Sequence, residues 1–309
     1  MSRVVLLFAG QGAQKVGMGK DLAEASPKAR EMVERADEAL GFALSEVMFE
    51  GPEEELTRTS RCQPALYLHG LMCLEVLRER CPGLEPVAAA GLSLGEFTAH
   101  AAAGTFGFEE GLRLVAKRGA FMEEACEETR GAMAAMIGGD EEIVTRLAAE
   151  CGVDVANFNS PGQIVISGAA EGIKQATAKA KEFGIRRAIP LKVAGAYHSR
   201  LMASAREKLA AELAQVEISE PRFPVVCNVD AKVVASPGEI RSSLERQVTG
   251  SVRWVDSIRL LREQGHETFL ELGPGKVLAG LVAKIDRAAK VVTLEDLAGI
   301  EAVAAELGA

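Results

Sequence analysis

The chain of 309 residues contains no uninterrupted apolar run near the roughly 18 to 20 residues that a membrane helix needs. Its leading VVLLFAG is too short for a signal peptide and lacks the flanks of one. No membrane contact is expected, and the cytoplasm is the expected location. Six cysteines, at positions 62, 73, 81, 126, 151 and 227, form neither C-x-x-C pairs nor metal-ligand spacing, which argues for reduced, buried thiols. Positive charge is also short. A formal net charge of -9 argues against nucleic acid as a partner, because phosphate binding demands clustered Lys and Arg. Histidine is scarcer still: with four in the chain, any imidazole base must be His69, His100, His198 or His266. What remains, 48% apolar and 26% charged, is the composition of an ordinary globular protein.

VVLLFA reads as a buried strand, GQGAQKVGMG as a glycine loop, and PKAREMVERADEAL as a helix opened by Ser26-Pro27. The loop fits no phosphate template. Gly10-Gln11-Gly12 lacks the third glycine of G-x-G-x-x-G, and Gly12 to Gly17 is not followed by Lys-Ser or Lys-Thr. Its N–H groups could still serve an anion or oxyanion. QPALYLHGLMCLEVLRER reads as a helix, PVAAA as a strand, and GLSLGE as a turn into another helix, an α/β order with parallel pairing. From about Gly131 the segments AMAAMIG, DEEIVTRLAAE, VDVANFN, QIVISG, AEGIKQATAKAKEFG and IRRAIPLKV give β-α-β-β-α-β, the order of a ferredoxin-like unit. The α/β grammar then returns, with FPVVCNV as a strand, SVRWVDSIRLLREQG as a helix, and ETFLELGPGKVLAGLVAKI as strand, turn and helix. The expected fold is an α/β core, residues 1–128 and 198–309, interrupted by a ferredoxin-like subdomain at 129–197, with a cleft between them.

Within GLSLGE the spacing G-x-S-x-G suits a nucleophile elbow, where small neighbours let a strained turn push the Ser93 hydroxyl out over the strand edge. A non-catalytic glycine turn has the same spelling. A nucleophilic serine needs a base. His69 falls on an apolar helix stripe and reads as packed, and His100, seven residues past Ser93 on the next helix, is about 10 Å along its axis. His198, in VAGAYHSRLM, lies where the insert hands back to the core. His266, in REQGHETFLEL, holds the position an α/β-hydrolase esterase would use. Residue types alone leave those two open.

FAGQGAQ, QPAL, GLSLGEFTA, KRGAFM, VANFNSPGQIVISG, GAYHSRLM, RQVTGSVRW and FLELGPGKVL, in that order along nearly the whole chain, resemble the bacterial malonyl-CoA:acyl-carrier-protein transacylases. The resemblance implies an α/β-hydrolase-like core with a parallel sheet and an inserted ferredoxin-like subdomain. It implies Ser93 as nucleophile and His198 as base, with no carboxylate in the triad. The Gln247 main-chain carbonyl would orient the imidazole, and the N–H groups of Gln11 and Leu94 would form the oxyanion hole. Arg118 would hold the malonyl carboxylate, Gln63 and Asn159 fall near the pocket, and Met122 would be pocket wall. Malonyl-CoA and the phosphopantetheine thiol of acyl carrier protein enter as substrates of a ping-pong transfer, with no metal or bound cofactor and a monomer expected. Carrier proteins of this kind are acidic, so Arg186, Arg187 and Lys192, with Lys174 and Lys181 before them, are the expected docking cluster.

Two positions depart from the family pattern. Leu92 stands where histidine is usual, and Tyr197 where phenylalanine is, the latter still bulky enough to favour malonyl over methylmalonyl. A free-standing chain of this length favours fatty-acid synthesis over a polyketide cluster. Two other functions compete: a serine esterase using His266, and a carrier-binding module without activity, which rests on Leu92 alone.

Overall fold

The computed structural model describes residues 2–308. Among the described residues ten strands form two sheets: β1 (Ser2–Phe8), β2 (Leu84–Gly91), β3 (Gly131–Ile137), β4 (Asp154–Ser160), β5 (Gln163–Ala169), β6 (Arg187–Pro190), β7 (Val225–Val226), β8 (Val233–Val234), β9 (Thr268–Leu272) and β10 (Lys290–Leu294). The larger sheet runs β10-β9-β1-β2-β7-β8, parallel through β7 and closed by antiparallel β8. The smaller runs β4-β5-β3-β6, antiparallel throughout. This is an α/β core with a ferredoxin-like subdomain.

The continuous apolar run of β1 follows from its place at the centre of a sheet covered on both faces. Val4, Leu6 and Phe8 pack into the core on one side, Val5 and Leu7 into the core on the other. The first core includes the helix Thr59–Arg80, buried along almost its whole length. The second includes Trp254, Ile258 and Leu261 of the helix Trp254–Glu263. The subdomain has its own core, built on Ala134, Met136, Ile164 and Ile166 against the helices Glu141–Glu150 and Ala170–Lys179. A bridge between Asn157 of β4 and Val252, with Phe158 N–H donating to Val252 O at 2.9 Å, stitches the subdomain to the core beside the cleft.

Several elements differ from the sequence expectation. The helix expected from Gln63 starts at Thr59, so Pro64 lies inside it. IRRAIPLKV is a strand over Arg187–Pro190 alone, although Leu191 N–H still donates to Met133 O at 2.9 Å. FPVVCNV is strand at two residues only. The helices Leu44–Glu50, Glu53–Thr57, Pro237–Gln247 and Leu297–Gly308, and strands β8 and β10, carry no strong period in the sequence and were not expected.

Candidate active site

Ser93 sits between the C-terminal end of β2 and the helix Leu94–Ala102, with φ 56° and ψ -107°. That conformation is costly for a residue with a Cβ, and two of the three positive-φ non-glycine residues described are Ser93 and His198, the latter at φ 55°. The flanking glycines make the turn possible. A Cβ on Gly91 would overlap the backbone of Gly95, and one on Gly95 would overlap the carbonyl of Phe8. Strand, turn and helix thus close on each other with no room for a side chain.

The turn brings Ser93 Oγ to 2.8 Å from His198 Nε2. The other ring nitrogen, Nδ1, lies 2.9 Å from the main-chain O of Gln247. A carbonyl only accepts, so Nδ1 carries the proton and Nε2 is left to accept from the serine hydroxyl. Burial, and next the charge of Arg118, pull the imidazole down to about 4, which keeps it neutral, with a free lone pair, at physiological pH.

Arg118 comes from the middle of the helix Phe108–Glu128 and is 1% exposed. Its Nη1 donates to Gln63 Oε1 at 2.6 Å, and its Nη2 to Gln247 Oε1 at 2.8 Å and Ser93 Oγ at 3.1 Å. Its Nε has no partner. The guanidinium lies 5.2 Å from the centre of the Phe97 ring. Burial lowers it to about 10, with Glu96 acting in the opposite sense, so it remains a cation. A buried cation without a touching carboxylate, at the nucleophile, is a seat for an anionic substrate group.

A cavity of about 640 Å³ opens over these atoms, lined among others by Gln11, Leu94, Met122, Asn159, Tyr197 and Lys192. Leu94 is the first residue of its helix, so its N–H has no partner within the helix. The Gln11 side chain donates to Thr59 Oγ1 at 3.2 Å, and Thr59 pairs with the Tyr197 hydroxyl at 2.6 Å. Gln63 also donates to Met122 Sδ at 3.5 Å, and Asn159 Oδ1 is buried without a partner. Leu92 lines the same cavity while packing on the second core.

The other histidines lie apart. His69 is buried against the Glu295 carbonyl, and His100 against Thr105. His266, the esterase alternative, sits with Arg3, Val5 and Val87 around the N-terminal ends of β9 and β1. Ser93 follows the C-terminal end of the parallel β2, so the sheet itself separates the two, and the esterase arrangement is not built. The docking cluster is also split. Lys192 lines the cavity, whereas Arg187, which starts β6, and Arg186 just before it, both exposed, come five and six residues earlier, up to roughly 20 Å away.

Three participants were missed in the sequence. Thr59 anchors Tyr197; Asn228 accepts from Ser93 N–H at 2.7 Å and donates to Gly91 O at 2.8 Å; Glu96 accepts from Gln247 Nε2 at 2.6 Å. The one available signal was S-x-x-E at Ser93–Glu96, a helix-start pattern that draws attention to the glutamate.

The acyl transferase domain family matches residues 5–300. The malonyl CoA-acyl carrier protein transacylase of Bacillus subtilis (strain 168) is 45% identical over 306 residues, covering 97% of this chain and 96% of that one. That of Escherichia coli (strain K12) is 42% identical over 289 residues, covering 92% and 93%. Among solved structures, a malonyl-transacylase in complex with its type II polyketide-synthase acyl carrier protein matches with TM-score 0.95 and 39% identity, covering 99% and 100%. An acyl carrier protein S-malonyltransferase from Vibrio cholerae O1 biovar eltor matches with TM-score 0.94 and 38% identity, covering 98% and 100%.

Proposed function

The chain belongs to the malonyl CoA-acyl carrier protein transacylase family within the acyl transferases, and from that premise we propose that it moves malonyl from malonyl-CoA to acyl carrier protein through Ser93. One oxygen carries the reading: Ser93 Oγ lies within hydrogen-bond reach of both His198 Nε2 and Arg118 Nη2. The first partner is a base; the second is a cation placed for the substrate's free carboxylate.

In the first half-reaction Ser93 Oγ attacks the thioester carbon while its proton passes to His198 Nε2. The developing oxyanion meets the N–H groups of Gln11 and Leu94. Collapse breaks the carbon–sulfur bond, and the imidazolium returns its proton to the leaving CoA thiolate. In the second half-reaction the phosphopantetheine thiol gives its proton to His198 and attacks the malonyl-serine ester, and Ser93 leaves with that proton. The Gln247 carbonyl holds the imidazole in one tautomer throughout, doing for orientation what an aspartate does in other triads. CoA and phosphopantetheine enter as substrates, and no metal or resident cofactor takes part in these steps.

Arg118 clamps the malonyl carboxylate bidentately, with Gln63 and Gln247 fixing its plane. Tyr197, pinned by Thr59, fills the side of the cavity where a branched malonyl would place its methyl group. Met122 forms wall, and the orphan Oδ1 of Asn159 is available to a bound substrate. Lys192 at the cavity, with Arg186 and Arg187 farther along β6, offers cations to an acidic carrier protein. We place the protein in the cytoplasm, as a monomer serving fatty-acid synthesis; its six cysteines are free and buried, as a reducing compartment would leave them.

Mass spectrometry after mixing with malonyl-CoA is the deciding experiment. A malonyl adduct on Ser93, absent in Ser93→Ala and in His198→Ala, is expected. No adduct on the unaltered protein would favour a carrier-binding module without activity.

A further inference from the structure

Glu96 is wholly buried one helical turn beyond Ser93, and the transfer chemistry above does not use it. The residues Ser93–Glu96 spell a capping box, in which serine and glutamate side chains each close on the other's backbone N–H. Here the box is open. Ser93 makes no side-chain cap bond, its Oγ facing His198, and its N–H is taken by Asn228 Oδ1. Glu96 turns instead to neighbouring segments, where Oε2 accepts from Gln247 Nε2 at 2.6 Å and from the Asn228 N–H at 3.0 Å.

Those two partners are the ones that hold the site. Asn228 bonds the backbone on both sides of the elbow, at Gly91 O and Ser93 N. Gln247 donates to Ser93 O at 2.9 Å, accepts from Arg118, and presents its own carbonyl to His198. The charged and titratable groups acting on Glu96 are Arg118 from the helix Phe108–Glu128, Arg246 from the helix Pro237–Gln247, itself paired with Asp230, and the Cys227 thiol beyond β7. Its second oxygen, Oε1, has no partner. Burial lifts the carboxyl to about 7, against the pull of the Gln247 and Asn228 hydrogen bonds and the two arginine charges.

We propose that Glu96 is a positioning residue for malonyl transfer, fixing through Gln247 and Asn228 both the Arg118 guanidinium offered to the substrate carboxylate and the strained turn that carries Ser93. The proposal rests on the malonyl-transfer reading. As a carboxylate, Glu96 also draws on the charge of Arg118 through Gln247, so ionised Glu96 and the substrate compete for one cation. The malonyl-CoA KM therefore rises as pH climbs through about 7.

The test compares full-length Glu96→Gln, which keeps an acceptor oxygen but no charge, with Glu96→Ala, which keeps neither. Steady-state rates with malonyl-CoA and acetyl-CoA are followed from about pH 6 to about pH 8.5. Glu96→Gln should hold kcat within about fivefold and keep the malonyl preference, with a KM flat in pH; Glu96→Ala should lose about tenfold or more of the preference. A folded Glu96→Ala with unaltered preference, or a Glu96→Gln that keeps the wild-type pH slope, overturns the proposal. If Glu96→Ala does not fold, the pH profile of Glu96→Gln decides alone. A wild-type protein that takes no malonyl defeats the transfer reading itself, whereas a wild type that acylates beside variants that behave like it defeats only the role of Glu96.

Discussion

On the proposed reading Arg118 carries most of the specificity, because burial leaves the cation few alternative partners. Three hydrogen bonds and the Phe97 ring hold a planar fork at Ser93, and a lysine ammonium could not reach Gln63 and Gln247 together in that plane. Acetyl-CoA brings no carboxylate, so the desolvated cation stays incompletely paired, a loss of about 1 to 3 kcal/mol. Arg118→Lys is accordingly expected to cut the ratio of malonyl to acetyl acylation by roughly 10- to 100-fold. Parallel single-turnover rates with the two thioesters measure it, and an unchanged ratio refutes the clamp. That Ser93, His198 and Arg118 meet at one point agrees with the family motifs that single each of them out in the sequence, whereas residue types alone left His198 and His266 open. Glu96 and Asn228 were not legible there, for an acid on a helix and an asparagine beside a turn ordinarily face water, and only the packing of three segments reveals that these two face inward.

At the scale of elements, β6 is the edge strand of the small sheet, and it runs from the exposed Arg187 toward the cavity mouth. On the proposed reading, Lys192 just past its end and the arginines at its start serve unequally a carrier protein whose pantetheine arm enters the cavity. Lys192→Glu should raise the carrier-protein KM most, by about tenfold, with Arg186→Glu and Arg187→Glu raising it less and leaving acylation by malonyl-CoA intact. Two-substrate kinetics at fixed ionic strength measure this, and an unchanged KM in all three variants removes the docking face. The β-α-β-β-α-β order of this unit was legible because its strands are short runs bounded by turn residues and each helix keeps its period. Strands β7 and β8, of two residues each, carry too short a signal to read, and β6 was overread because its apolar residues continue past Pro190 into the cavity rim.

The whole molecule holds three fully buried histidines in unlike places: His69 near the Glu295 carbonyl, His100 beside Thr105, and His198 at the nucleophile. Burial lowers them to about 4, about 3 and about 4. Below the unfolded value of 6.5 the unfolded chain therefore binds protons that the native protein refuses, and stability falls with pH from there down to about 4. Glu96, raised by burial to about 7, and Glu271, raised by burial, work in the opposite sense, since the native protein protonates them before the unfolded chain does. Three histidines outnumber two carboxyls, so a net loss of stability is expected as pH falls from about 6.5 toward 5. Urea unfolding at those two pH values measures it. His100→Leu should make the dependence shallower while leaving acylation in place, because His100 touches neither the cavity nor the Ser93 network. A stability that stays level on acidification would mean that proton uptake by the native carboxyls matches that by the unfolded imidazoles, and the His100→Leu comparison then decides whether that imidazole is neutral in the native state.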